Sequence, residues 1–418
     1  MAATTIPNSS PNLPLLHFLR ERPALRRFIA IRTFDELSSQ MLNVAIAWYV
    51  YSATHNPMSL AYVGLARFLP NISMVLIAGH TVDRLDRRKI IGLSLLVQTV
   101  CVAIFSALSA TSALSGAPVY LLLVILGAAQ AFQSPAMPAT LPRLVSAEEF
   151  PRAVALSSSA FQICSLAGPA VGGLLYALSG PGMFAFATAL YLIALTQVPG
   201  LVGGPQQMAR VEQRTPKDES PLGGIRYIRS NPLLLGVISL DLFAVLFGGV
   251  TALLPIYAKD ILNVGPAGLG CLRCAPGIGA AIIGLVLVHR TIQRNAGKLM
   301  LACVAGFGVA TIVFALSKNI WLSLIALVAA GGFDMVSMVI RQTLLQIATP
   351  DAMRGRVSAV QWMFIGASSE LGEFESGATA VLFGTVHAAL LGGLGTLAVV
   401  AIWTKLFPEL PRADKLAA

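Results

Sequence analysis

Long apolar runs separated by short polar gaps dominate this chain. Continuous apolar segments of about 20 residues, the length that crosses a bilayer as a helix, recur from end to end. They predict twelve transmembrane helices at about 28–52, 59–79, 89–110, 117–138, 153–178, 182–202, 232–257, 266–288, 298–317, 320–346, 357–382 and 385–405. A membrane barrel would alternate apolar and polar positions over strands of about ten residues. These runs are continuously apolar, so the expected class is an all-α membrane protein. The longest polar gap, 203–231, is rich in Gly, Pro and charge and separates six spans from six. The expected layout is a tail over 1–27, a six-helix half over 28–202, a linker over 203–231, a second half over 232–405 and a tail over 406–418. A short amphipathic helix is expected within the linker around 222–229.

Composition sharpens this. Hydrophobic residues make up 56% of the chain and charged residues only 11%, against about 25% charged in soluble domains. That leaves too little polar surface for a water-soluble globule. The formal charge of +10 is not a nucleic-acid signature, because the cations fall in alternate gaps. One set holds Arg20, Arg22, Arg26 and Arg27, then Arg84, Arg87, Arg88 and Lys89, then Arg143 and Arg152. It continues through Arg210, Arg214, Lys217, Arg226 and Arg229, then Arg290, Arg294 and Lys298, then Arg354 and Arg356, then Lys405, Arg412 and Lys415. The opposite set holds Lys259 and Lys318. By the positive-inside rule both termini are expected in the cytoplasm. The first residues lack a compact apolar stretch before a cleavage site and read as a short cytoplasmic tail.

Catalytic signals are missing. The five histidines are scattered, and no HExxH, GxSxG or phosphate-binding GxxxxGK[ST] motif occurs. Neither an enzyme nor an ATP-driven pump is expected, and no cofactor is called for. All five cysteines lie in apolar runs. Cys271 and Cys274 have CxxC spacing without a second pair, so they read as small hydrophobes rather than metal ligands.

The two halves resemble each other. An offset of 206 aligns Asp35 with Asp241, Tyr51 with Tyr257, Gly64 with Gly270, Arg67 with Arg273, Pro70 with Pro276 and Arg84 with Arg290. An offset of 203 aligns Thr140 and Leu141 with Thr343 and Leu344, Glu148 with Asp351, and Val154 with Val357. Charged residues are rare inside spans, which makes matches among them informative. Both copies start on the same side, so the chain reads as a parallel repeat, a known transporter plan.

The knot "GHTVDRLDRRK" follows the second span. It resembles the signature loop of the major facilitator superfamily, G-x-x-x-D-R-x-G-R-R-K, at Gly79, Asp83, Arg84, Arg87, Arg88 and Lys89, with Asp86 in place of the usual glycine. "AGPAVGGLL" in span five resembles the end of the superfamily's antiporter motif at Gly168, Pro169, Gly172 and Gly173. "TPDAMRGRVSAV" and "SSELGEFESG" resemble the branch that includes enterobactin exporters and drug-efflux proteins. The resemblance implies the major facilitator fold in a cell (inner) membrane. It implies proton-coupled export of a small molecule, drug-like or siderophore, by a monomer whose partners are that substrate, protons and the lipid bilayer. It makes the charged loop a cytoplasmic latch and span five a close-packed, bent helix. An importer of the same fold is the nearest alternative, ahead of an embedded enzyme or a non-transporting sensor.

Asp35, Glu36, Arg67, Asp241, Arg273, Asp334, Glu370, Glu373 and Glu375 fall inside predicted spans. A charge at a helix centre costs about 2.5–3.5 kcal/mol in lipid, so each is expected to face a partner or an aqueous cavity. The offset suggests that Asp35 pairs with Arg67 and Asp241 with Arg273. Either aspartate is then a proton-coupling candidate, as are Glu36, Asp334, Glu370 and Glu373. Glu375 points away from Glu370 and Glu373, which share a helix face.

Overall fold

The computed structural model describes residues 15–111, 116–201, 221–289 and 294–413. Every regular element among them is helical. A short helix α1 (Leu15–Glu21) leads into α2 (Pro23–Thr54), α3 (Pro57–Arg84), α4 (Arg87–Ala110), α5 (Ala117–Thr140), α6 (Phe150–Ser179) and α7 (Gly182–Gln197). After α8 (Pro221–Ser230) come α9 (Pro232–Gly248), α10 (Gly265–His289), α11 (Ala296–Leu316), α12 (Ile320–Ala348), α13 (Asp351–Phe383), α14 (Thr385–Leu406) and α15 (Glu409–Arg412). Most of the expected linker and parts of both tails lie outside the described residues, as do Arg210, Arg214, Lys217, Arg290 and Lys415. The amphipathic helix expected at 222–229 is α8, with Ile228 buried and Ile225 and Tyr227 packed on the core.

The helix starts follow local chemistry. Asn56, Asn231 and Asn319 each precede a helix and accept from backbone N–H groups of its first turn, and Asp86 does the same for α4. These caps satisfy donors that the helix itself leaves free. Pro57 and Pro232 then fill first-turn positions where a missing N–H costs nothing. One expected span is broken. After α9 the chain passes Gly249, a 3-10 turn at Val250–Leu253, a short turn containing Pro255, and a π-helical turn at Tyr257–Ile261. Consecutive Gly248 and Gly249 followed by Pro255 explain the break.

Among the described residues, nine segments are long and apolar enough to cross a membrane: those at Arg87–Ala110, Ala117–Arg143, Phe150–Ser179, Gly182–Gly200, Pro232–Ile261, Gly265–His289, Ala296–Leu316, Ile320–Ala348 and Thr385–Leu406. The other long helices, α2, α3 and α13, fall short of that apolar standard among the described residues, and they carry much of the charge discussed below. Large apolar side chains such as Leu93, Leu178, Leu285, Ile325 and Leu382 are exposed on the outside. That is the surface a lipid-solvated bundle presents.

The packing repeats. In the N-terminal group α2 packs on α6 and α7, α3 on α5, and α4 on α5 and α7. In the C-terminal group α9 packs on α13 and α14, α10 on α12, and α11 on α12 and α14. The offset of about 206 carries one list into the other. Each group has its own apolar core. Two seams join the groups, α6 against α10 and α3 against α13. A third apolar cluster bridges them, with Val44, Ala47, Tyr51 and Leu60 facing residues such as Leu254, Tyr257 and Leu269. This bridge lies at the end of the bundle away from α1 and α15, here called the distal end; the other is the terminal end.

Candidate functional site

A cavity of about 690 Å³ lies between the two groups. It extends from Leu60 and Ala252, beside the distal bridge, to Phe28, Leu141 and Phe150 towards the terminal end. Its wall comes mostly from α2, α3, α5 and α6. The C-terminal group contributes Ala252, Arg273, Glu370 and Glu373. Six of the residues expected to matter therefore meet here: Asp35, Glu36, Arg67, Arg273, Glu370 and Glu373. Arg32 joins them. Four carboxyl groups thus face three guanidinium groups, one negative charge in excess when all are ionised. Lipid would not tolerate that set; an aqueous cavity does.

Hydrogen bonds fix the wall. Gln133 Nε2 donates to Asp35 Oδ2 at 2.8 Å, and Gln98 in turn donates to Gln133. Gln40 Nε2 donates to Glu36 Oε1 at 2.7 Å, one helical turn away. Arg67 donates to Asn43, and at 3.2 Å to Gln130 Oε1. The Arg32 guanidinium stands 4.6 Å from the centre of the Phe161 ring, a cation–π arrangement. Glu373 packs beside Gly64. The direct Asp35–Arg67 pair expected from sequence is not the contact formed. Both line the same cavity, but neutral amides occupy the hydrogen-bonding positions around each.

The expected Asp241–Arg273 pair is also corrected. Arg273 faces the cavity, where the charges acting on it are Glu373 and Arg67. Asp241 faces a separate crevice within the C-terminal group. There Arg341 Nη1 lies 2.7 Å from Asp241 Oδ1, and Arg341 Nη2 lies 3.6 Å from Asp334 Oδ1. The repeat predicts equivalent positions, not equivalent partners. Arg341 has no arginine counterpart in the first half, because an offset of 203 maps it onto Pro138. Asp334 accordingly belongs to this cluster and is not among the residues lining the main cavity. Glu375 accepts from Thr379 at 2.8 Å, one turn along α13, and also stands apart from the cavity.

The small residues of span five divide between two neighbours. A Cβ on Gly168 would stand 2.5 Å from Gln40 Cβ, and one on Gly172 would stand 2.7 Å from Met41 Cα, so both sit tight against α2. Gly173 faces the other group, where its Cβ would lie 2.5 Å from the Pro266 carbonyl oxygen. Gly270 returns the contact, with its Cβ 2.6 Å from the carbonyl of Pro169. Backbone meets backbone along this seam, as small residues permit in membrane bundles.

At the distal end Tyr51 donates its hydroxyl to Asp260, which lies in the π-helical turn. Lys259 Nζ donates to the Ser52 carbonyl at 3.4 Å and stands 5.8 Å from the Tyr51 ring. At the terminal end Asp86 caps α4 by accepting from Arg88 N at 3.0 Å, which gives the departure from the family glycine a physical reason. Arg87 Nη1 donates to the Ala139 carbonyl at the end of α5, at 2.6 Å. A Cβ on Gly79 would meet nothing within 4 Å. Arg84 and Lys89 are exposed and Arg88 is half-buried; the side chain of Asp83 lies outside what is described. Nearby, Arg22 pairs with Glu149 through Nη2–Oε1 at 2.7 Å and Nε–Oε2 at 3.3 Å. The Arg22 hydrogen bond holds the Glu149 carboxyl below its usual range, and the same bond raises Arg22.

Sequence reasoning missed Arg32 and Arg341, although both fall inside predicted spans and obey the rule that singled out the other charges. It also missed the amides Asn43, Gln98, Gln130 and Gln133, whose cost in lipid is the same kind of signal.

A family model described as transmembrane secretion effector matches residues 21–418. The enterobactin exporter EntS of Shigella boydii serotype 18 (strain CDC 3083-94 / BS512) is 29% identical over 394 residues, covering 91% of this chain and 88% of that protein. EntS of Escherichia coli O157:H7 (strain EC4115 / EHEC) matches at the same identity and coverage. Among solved structures, the nucleoside transporter NupG superposes with a TM-score of 0.72 at 12% identity, covering 92% of this chain and 99% of that one. A bacterial homologue of the human lysosomal transporter Spinster, inward-facing and unoccupied, gives 0.63 at 14% identity, covering 93% and 96%. At such identities these structures speak for the fold alone.

Proposed function

The chain belongs to the transmembrane secretion effector family, within the major facilitator superfamily, and on that premise we propose that it is a proton-coupled exporter of a small molecule. The observation that carries this reading is the charged cavity between two similarly packed groups, bridged by apolar and polar contacts at one end. In this reading all twelve long helices span the membrane as two six-helix halves. The basic gaps hold both termini in the cytoplasm, so the cavity of this conformation faces the cytoplasm and the distal bridge shuts it from outside. Export follows when the bridge parts and the terminal end closes, the charged loop at Gly79–Lys89 acting as a latch. Its relatives are named enterobactin exporters, which supports a siderophore or drug-like cargo. Guanidinium and carboxyl groups side by side in the cavity suit a cargo with ionisable or strongly polar groups and an apolar body. Protons move the other way on carboxyl groups buried in the membrane.

The test uses everted membrane vesicles from cells producing the protein, with enterobactin and a panel of cationic drugs as probes. Accumulation should stop when a protonophore collapses the proton gradient while ATP is still supplied. Accumulation that survives the collapse removes the coupling claim. Vesicles that accumulate no probe, beside a related exporter that does, remove the cargo claim.

A further inference from the structure

The acidic residues inside the bundle fall into two separate sets, and only one surrounds the cavity. The other is Asp241, Arg341 and Asp334. Asp241 and Arg341 are almost wholly buried, with 7% and 6% of their side chains exposed, while Asp334 is half exposed. One cation therefore serves two carboxylates. Although Arg341 Nη1 approaches Asp241 Oδ1 to 2.7 Å, no N–H is aimed at that oxygen, which has no hydrogen-bond donor. Nη1 donates to Ser337 Oγ at 3.2 Å instead. A buried carboxylate oxygen without a donor is costly and uncommon. Among the described residues, the charged groups acting on Asp241 are Arg341 and Asp334, both on α12. α13 faces it with Gln361, Phe364 and Ile365.

The crevice itself has no room for a water molecule and is lined mostly by apolar side chains. It shares Leu345 and Gln361 with a small cavity of about 80 Å³ towards the terminal end of α12 and α13, whose wall includes Gln342, Gln346, Ser358 and the cation Arg354. Gln361 is thus the polar group between that cavity and Asp241, on a side away from the main cavity.

We infer that Asp241 is a proton-binding site, separate from the substrate cavity and loaded from the terminal side. The proton comes from hydronium in the adjoining cavity, passes Gln361 and ends on the Asp241 carboxylate, at the oxygen that lacks a donor. Arg341 stays cationic, and the cluster passes from one net negative charge to none. A neutral Asp241 no longer holds Arg341, which is then left to Asp334 on its own helix. Loading the proton so cuts the ionic tie between α9 and α12. The idea rests on the exporter reading for the proton's use, but the site can be tested without transport.

The purified full chain in lipid nanodiscs is titrated with acid and followed by infrared difference spectroscopy, the proton being the only probe. A protonated-carboxyl band should grow in the wild type, and Asp241→Asn should remove from it a component that Asp35→Asn retains. In Asp334→Asn, Asp241 faces Arg341 alone, so that component's midpoint should fall by roughly one pH unit. In Arg341→Gln it should rise. Should Asp241→Asn fail to fold, Asp241→Glu serves instead, the component then shifting in frequency. An unchanged band in the Asp241 variants, or an unmoved midpoint in Asp334→Asn, overturns the inference. An intact proton response in a protein that exports nothing would sink the exporter reading and leave the site standing.

Discussion

Gly173→Ala adds one methyl group at the seam between α6 and α10. That carbon would stand 2.5 Å from the Pro266 carbonyl oxygen, 2.9 Å from Gly270 Cα and 3.0 Å from Gly270 N, where ordinary contacts are 3.4–4 Å. All three are backbone atoms, so no rotamer change relieves the clash, and a helix must retreat by nearly 1 Å. Overpacking of this kind costs about 1–3 kcal/mol. Since about 1.4 kcal/mol is a factor of ten, this conformation should lose roughly 5- to 150-fold in population against any arrangement with the seam parted. Gly270→Ala meets the Pro169 carbonyl at 2.6 Å and should behave alike, and the double variant should cost less than the sum, because the first methyl already opens the seam. Gly64→Ala is the matched control. It is the repeat partner of Gly270, yet its new carbon would sit 3.5 Å from the Glu373 carboxylate, an ordinary contact, and should stay within about 0.5 kcal/mol of wild type. The assay is thermal unfolding by tryptophan fluorescence alongside vesicle transport rate. For a chain of 418 residues each kcal/mol should lower the melting temperature by about 1 °C. If Gly173→Ala and Gly64→Ala unfold together, the seam is not as tight as argued.

Three further outcomes follow from the charge contacts. Tyr51→Phe and Asp260→Asn should each speed hydrogen exchange at the distal ends of α2 and the π-helical turn by roughly five-fold, since Asp260 is exposed and the bond contributes about 1 kcal/mol; their double variant should add little, and additive effects would mean the two do not meet. Arg341→Gln should destabilise by about 3–5 kcal/mol by stranding Asp241 in a buried site, and Arg341→Gln with Asp241→Asn should recover much of that, as read from folded yield in detergent. The Glu149 carboxyl is held low by Arg22, so its stabilisation is complete above the ordinary glutamate value of about 4.3 and is lost as pH falls through the lower folded value; Glu149→Gln should flatten that part of the melting-temperature profile, and an unchanged profile would remove the pair's contribution.

What the sequence made legible is what depends on periodicity and on cost. Apolar runs placed the long helices, while the Asn–Pro pairs at two of their starts emerged only in the structure. The 206-residue offset matched α3 to α10 and the 203-residue offset matched the end of α5 to that of α12, and the two pairs pack alike. Pairing was less accessible. Asp35 and Asp241 are equivalent by position, yet Gln133 meets one and Arg341 the other, because a side chain's partner is chosen by neighbouring helices that carry no record of the repeat at that spot. The π-helical turn was illegible for a similar reason. Lys259 and Asp260 read as a charged gap, and only packing against Tyr51 gives the turn its place.

The cavity wall is lopsided: beyond Ala252, Arg273, Glu370 and Glu373 its residues belong to the N-terminal group. On the exporter reading, most of the surface a cargo would touch is therefore encoded in the first portion of the gene. Randomising that portion while keeping Asp35 and Glu36 would vary the cargo face and leave the second portion, with Asp241 and Arg341, untouched. Such a scaffold would offer one variable face on a constant frame, as an antibody does, and a library confined to residues 28–161 would be the economical place to search for transporters of other compounds.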